Sequence, residues 1–395
     1  MAITTRQTSL LVAEDWTKLY QSFRNADFQS YDFETLRKSF VDYLRLYYPE
    51  TFNDYIESSE FIALLDVIAF MGQALAFRTD LNTRENYMDT AERRDSVVKL
   101  ANLVSYTAKR NTAAQGLLKV LNVTTTENVI DYQGVNLANV TVDWADPTNP
   151  DWQEQFTAII NAALVDTQRI GRPGNRQTIL GVRTDEYGIN LVPGYLPIVP
   201  YTATVDGISM PFEAMSSTSV GADYLYEPSP TVGNPFNILF RNDQLGFQSA
   251  NTGYFFMFKQ GVLQNQDFNL AERISNRTVN INIEGINNED RWLFQLDNVG
   301  NVSREWEYTE NIYSAAAEQI GTDLRPIYTV TSRTNDQITM VFGDGVFSEI
   351  PVGQFRAYVR ASNGLQYIIN PEEMQAVTIP ISYISRSGNL ETITF

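Results

Sequence analysis

The chain has 395 residues, 43% of them hydrophobic, which is enough for two or three domains with sizeable cores. It carries a formal net charge of -18 and contains neither cysteine nor histidine, which excludes disulfide frameworks, thiolate or imidazole zinc sites, and Ser-His-Asp or Cys-His catalysis. The acidic balance also opposes nucleic acid as a partner, because phosphate binding draws its affinity from counterions released opposite Lys and Arg.

Met1 to Gln7 lacks an apolar run behind a basic start, and the apolar stretch Phe61 to Phe77 contains Asp66 and Gln73. Neither a signal peptide nor a membrane span is expected. The periodicity is helical from Val12 to about Tyr106. Trp16, Leu19 and Phe23 mark a first helix; Phe33, Leu36, Phe40, Tyr43 and Tyr47 then follow along one side of a helix that Asp32 caps and Pro49 stops. After Ser58 and Ser59 a longer helix carries Phe61, Leu64, Leu65, Ile68, Met71 and Leu75, its stripe widened by Val67 and Phe70, and Val97, Leu100, Ala101 and Val104 mark another. Short helices cannot cover this many large apolar side chains internally. The excess is expected either against the downstream β region or in a helical bundle between subunits. Arg84, Arg93, Arg94, Lys99, Lys109 and Arg110, interleaved with Glu85, Asp89, Glu92 and Asp95, read as a solvated mixed-charge face or as a docking patch for an acidic neighbour, including a second copy of the chain.

Beyond Thr107 short alternating runs broken by Gly, Asn and Pro indicate strands, beginning at Leu117 to Val123. One helix, Trp152 to Val165, interrupts them, with Asp151 and Glu154 at capping-box spacing. The Gly- and Pro-dense stretch 171–235 suggests long hairpins or a small inserted β domain. The strand Asn389 to Phe395 needs a partner from this chain, from another, or from sequence beyond Phe395. The resulting fold class is α+β: an N-terminal helical bundle region, residues 1–110, followed by mostly antiparallel β domains, 111–235 with the one helix and 236–395.

Carboxylate pairs could still run glycoside hydrolysis. The candidates are Asp344, Glu289 with Asp290, and Asp185 with Glu186, each better explained as a turn or strand-end residue. There is no Gly-Lys-Ser/Thr loop, and Gly343-Asp-Gly345-Val-Phe-Ser348 has Ser348 where a dinucleotide loop needs its third glycine. No cofactor or metal site is expected.

Two segments carry a resemblance. The first is Arg78-Thr-Asp80-Leu-Asn82-Thr-Arg84-Glu85 with Ala91-Glu-Arg-Arg-Asp95-Ser-Val-Val-Lys-Leu-Ala101-Asn-Leu-Val-Ser-Tyr106. The second is Val341-Phe-Gly-Asp-Gly345-Val-Phe-Ser-Glu-Ile-Pro351-Val-Gly353 with the strand Arg356 to Arg360. Both resemble the baseplate J-like family, which includes the baseplate wedge proteins of T-even-type contractile-tailed phages. On the residues alone, the second segment reads as a hairpin device in which Gly343 and Gly345 permit positive φ, Asp344 bonds the turn's own amides, and Pro351 and Gly353 punctuate the return.

The resemblance implies a non-catalytic virion subunit, assembled in the host cytoplasm. Its N-terminal helices would bundle with an elongated wedge protein and a second copy of the chain, beside smaller wedge proteins. The resulting ring couples host attachment to sheath contraction. The T-even-type member continues past the position matching Phe395 into a region implicated in ring dimerisation, so those contacts carry over to no residue here. The rival expectation, from Tyr, Trp and Asp in polar β loops, is a carbohydrate-binding or glycan-cleaving tail protein.

Overall fold

The computed structural model describes residues 32–47, 60–104, 106, 109–165, 177–220, 224–317, 324–364, 369–370 and 377–395. The chain forms two units, one comprising Met1–Lys109 with Ser332–Thr334 and the other Arg110–Thr331 with Asn335–Phe395. The expected helix with Trp16, Leu19 and Phe23 lies outside the described residues.

In the first unit, α1 spans Phe33–Tyr47, α2 Glu60–Arg84 and α3 Arg94–Leu103. Asp32 caps α1 as its position suggests: its Oδ1 accepts the Thr35 amide at 2.6 Å, and hydrogen bonds from Thr35 hold its carboxyl below the usual range. Helix α2 buries Ile62, Leu65 and Ala69, a stripe at helical spacing. It packs on α1 where Gly72 leaves room for Leu36, whose Cδ1 would lie 3.3 Å from a Cβ at position 72. Arg37 Nε donates to Asp66 Oδ1 at 2.7 Å across the same pair. By length and composition α2 is apolar enough to cross a membrane, and its Asp66 is half-buried in this ion pair.

The described residues of the second unit form strands with two α-helices among them. Its elements are β1 Gln115–Lys119, β2 Asn122–Thr125, β3 Val142–Asp143, α4 Trp152–Ala163, β4 Gln177–Ile179, β5 Val182–Ile189, β6 Ile198–Val205, β7 Ile208–Met215, β8 Thr218–Val220, β9 Tyr224–Tyr226 and β10 Phe236–Asn242. They continue with β11 Gly253–Gln260, β12 Val262–Leu270, β13 Thr278–Ile281, β14 Ile286–Leu296, β15 Val302–Tyr308, α5 Ile312–Ala317, β16 Ile327–Ser332, β17 Ile338–Phe342, β18 Gly353–Ala361, β19 Pro380–Ile384 and β20 Leu390–Thr394. Helices and mostly antiparallel strands together make the fold α+β.

Strand β11 is the hub of the first seven-stranded sheet, ordered β4-β5-β10-β11-β7-β6 with β1 also paired to β11. Its run Gly-Tyr-Phe-Phe-Met-Phe is almost continuously buried, as expected of a strand covered on both faces. The stretch expected as long hairpins or an inserted domain supplies β4 to β9, and β5 pairs with β10 from Phe236↔Ile189 to Asn242↔Arg183, so strands before and after residue 235 share one sheet. A four-stranded sheet, β19-β20-β2-β3, and α4 close the core beneath it. Here Phe156, Ile160, Phe236, Phe256 and Ile393 are fully buried, and Trp144 meets Trp152 and Phe156 edge-on at 5.2 and 4.9 Å. The last strand is therefore interior to its sheet: β20 pairs with both β19 and β2, and Phe395 packs on Phe256 at 5.0 Å.

Helix α4 ends at Ala163, two residues short of the expected Val165, because Leu164 bridges to Ile189 and the Val165 amide bonds Gly188 O. Asp151 makes no side-chain cap. Its carboxylate instead accepts Tyr132 Oη and Gln133 Nε2, each at 2.9 Å, so the expected capping box is replaced by a tie to the preceding loop.

The second seven-stranded sheet, β12-β18-β14-β15-β16-β17-β13, includes a parallel pair, β15 with β16. It curls around Trp306, Tyr328, Phe342 and Phe355. The Gln266 side chain on β12 bonds the backbone of Asn280 and Asn282, drawing the two outer strands together.

One residue separates the sheets along the chain: β11 ends at Gln260, Gly261 turns, and β12 begins at Val262. Gly261 has φ +109°, and a Cβ there would lie 2.5 Å from Ala361 O. Both the dihedral and the approach demand glycine. Gly261→Ala is therefore expected to destabilise the β unit by more than about 2 kcal/mol; a thermal unfolding midpoint equal to the parent's would contradict this.

Candidate functional site

Three places among the described residues stand out. The first is the outer face of α2. Leu64, Val67, Ile68, Phe70, Met71 and Leu75 are between 49% and 64% exposed, a contiguous apolar surface over about three turns. Of the expected interface residues, Leu64 and Ile68 lie on this surface and Leu65 is buried, while Leu36, Phe40 and Phe61 are half-buried. Tyr43 and Tyr47 belong to α1, and the placement of their side chains is outside the description.

The second place is the α2–α3 connection, which gives the first resembling segment a physical role. Buried Glu85 accepts the amides of Glu92 and Arg93 at 3.2 Å, so its carboxylate sits at the N-terminus of α3. Thr90 Oγ1 bonds Arg84 O at 2.7 Å and closes the turn. Arg93 thus contributes its backbone here, with its side chain on the exposed surface; Arg94 opens α3.

The third is the Phe342-Gly343-Asp344-Gly345 turn. Asp344 Oδ1 accepts the Val346 and Phe347 amides at 2.8 and 2.9 Å, and these bonds hold its carboxyl below the usual range. Gly345 has φ of +86°, as the turn chemistry predicts, and Gly353 has φ of +106°. Gly343 does not adopt positive φ. It is needed for a close approach, since a Cβ there would meet buried Ser348 Oγ at 1.5 Å. Nor is the segment a hairpin: β14, β15 and β16 stand between β18 and β17 in the sheet, so the turn and buried Pro351 carry the chain across its end. The turn presents Val346 and Phe347 outward, with Phe347 edge-on to Tyr313 at 5.1 Å.

The carboxylate candidates do not converge. Asp185 and Glu186 are consecutive on β5 and point to opposite faces. Glu289 is exposed while Asp290 is buried in an ion cluster that sequence reasoning did not find. In that cluster Lys259 Nζ reaches Asp290 Oδ1 at 2.6 Å and Glu227 Oε2 at 3.2 Å. Arg360 meets Glu227 Oε1 at 2.6 Å and Asp290 Oδ2 at 3.8 Å, and also pairs with Glu213. All five side chains are at most 8% exposed. Burial outweighs the pull of Lys259 and pushes the Glu227 carboxyl up to about 8. One signal was visible for Lys259 alone: it follows the apolar run of β11, where a charge must be paired.

A cleft of about 490 Å³ lies between β1 and the Ile369–Asn370 and Val377–Ile379 segments, lined mainly by Leu117, Leu118, Phe256, Phe258 and Phe395. Among the described residues its walls offer Lys119, Asn122 and Asn370 as polar groups.

Compared with known families, residues 116–395 match the model described as domain of unknown function (DUF8360), and residues 32–103 match the model of the bacteriophage baseplate protein N-terminal domain. A search of curated proteins gives no match.

Removing the Glu85 carboxylate with Glu85→Ala is expected to cost about 1–2 kcal/mol and to fray α3, seen as faster amide exchange in residues 94–103; unchanged exchange there would refute the capping role. In the turn, Asp344→Asn keeps an acceptor and should shift the unfolding midpoint little, whereas Gly343→Ala should lower it by more than about 2 kcal/mol equivalent. The reverse order would show that the turn depends on charge rather than on close packing.

Proposed function

Because this chain belongs to the DUF8360 family and carries a bacteriophage baseplate protein N-terminal domain, which makes it a phage baseplate protein with a structural role, we propose that it is a non-catalytic subunit of a baseplate wedge. Its N-terminal helices bundle with other wedge subunits, an elongated one among them, and with a second copy of the chain. The β unit acts as the spacer that helps form the ring coupling host attachment to contraction of the tail sheath.

The observation that carries this reading is the α2 surface. It lies inside the matched residues 32–103, and it leaves six large apolar side chains about half exposed or more. Such a surface is characteristic of an association face. The Asp66–Arg37 pair favours protein packing over lipid for the same helix, since an ionisable pair is costly in hydrocarbon. The absence of histidine and cysteine, together with the capping role of Asp344 and the ion pairing of Asp290, supports a non-enzymatic reading.

Mixing the purified chain with candidate wedge subunits and measuring mass tests the proposal. Association is expected for the parent chain and is expected to be lost in Leu64→Asp with Met71→Asp, both exposed, while helical circular dichroism is kept. A parent chain that stays monomeric with every candidate, or that floats with lipid vesicles instead, would sink the bundle reading.

A further inference from the structure

The ion cluster has an odd charge. Two cations, Lys259 and Arg360, face three carboxylates, Glu213, Glu227 and Asp290, all nearly or fully buried. With every group ionised the cluster keeps one uncompensated negative charge, which a low-dielectric interior strongly disfavours. Neutrality needs one proton on a carboxyl.

The cluster also spans a joint. Glu213 on β7 and Lys259 on β11 belong to the first sheet; Asp290 on β14 and Arg360 on β18 belong to the second; Glu227 follows β9 and touches both cations. The covalent link between the sheets is the single residue Gly261, one position after Gln260, and the Glu213 carboxylate also accepts the Leu263 amide just beyond it at 2.9 Å. Among the described residues these are the charged groups that face Glu227 from the packed strands; the neutral Asn287 side chain is bonded to Asp290 and Ser362 beside them.

We propose that the cluster is a pH-sensitive joint between the two seven-stranded sheets, closed while Glu227 holds a proton and loosened when Glu227 ionises.

Glu227 is the member suited to this. Glu213 has a backbone amide as a further donor, and Asp290 has the shortest Lys259 contact, whereas among the described residues Glu227 is held by the two cations it shares with them. The direction of the linkage follows from burial. The native carboxyl keeps its proton up to about 8, while an unfolded glutamate loses it near 4.5, so between these values the native state binds more protons than the unfolded one. The contribution of Glu227 to stability therefore falls as pH rises through that window and levels above it. Carboxylates held low, such as Asp267 beside Arg356, titrate below the window. The joint concerns a single chain and does not depend on the wedge assignment.

The cysteine-free chain allows a direct test. Leu245→Cys, in the β10–β11 loop, and Val299→Cys, in the β14–β15 turn, are 80% and 84% exposed and place one spin label on each sheet. In the full chain the inter-label distance distribution is expected to be narrow at about pH 6 and broader and longer at about pH 9. The unfolding midpoint should fall across the same range. Glu227→Gln, which is neutral throughout, should give the narrow distribution at both pH values and flatten the midpoint. An identical distribution at both pH values in the parent, or a change that survives in Glu227→Gln, would overturn the proposal. If the Gln variant does not fold, the parent comparison decides alone.

Discussion

The β unit depends on one constraint: charges that cannot be left unpaired are held where two sheets meet. Removing either member of a buried ion pair leaves the other desolvated, a penalty on the order of 3–5 kcal/mol, whereas the pair itself contributes little net stability. The cluster is thus better understood as a lock on geometry than as a source of stability. Arg360 has no exposed surface and spans carboxylates from both sheets, so any rearrangement that separates them exposes it or strands it. Gly261 serves the same end by covalent means, since only a residue without a Cβ lets β11 pass into β12 this close to Ala361.

The first unit follows the opposite logic. Its helices are internally tied by a few polar contacts, Asp32 to Thr35, Arg37 to Asp66 and Glu85 to the start of α3, and by a thin apolar seam of Ile62, Leu65 and Ala69. Most of the apolar side chains on α2 lie outside that seam. A helix in water derives most of its stability from packing one face, and α2 offers more apolar surface than α1 covers. The two units therefore divide the work of a structural subunit: one is satisfied within itself and the other is left with surface to bury.

What was legible in the sequence was what depends on near neighbours. The period of Phe33, Leu36 and Phe40, the cap at Asp32, the strand alternation after Thr107 and the Asp344 turn all rest on spacings of two to four residues, and the structure follows them. Where the reading failed, a distant contact had intervened. Asp151 stands where a cap belongs but is claimed by Tyr132 and Gln133. Gly343 looked like a residue chosen for its dihedral and is in fact chosen for the space taken by Ser348. The ion cluster was the least legible feature, because Arg360 and Glu213 are 147 residues apart and nothing local announces their pairing. The division between α2 side chains that face α1 and those that face outward was equally hidden, since Leu64 and Leu65 are neighbours in the same apolar run with opposite burial.

The pairing of β20 with β2 carries a consequence for how the unit is made. The amide of Thr392 bonds Thr126 Oγ1 across 266 residues of chain, and the first core needs Ile381, Tyr383, Ile393 and Phe395 to fill it. Contacts so remote in sequence form late and slow the search for the native state. During synthesis the edge of β2 that receives β20 stays open until nearly all of the β unit has left the ribosome. An early fragment of the β unit is then a sticky object, and maturation becomes a single closing event rather than a gradual accretion.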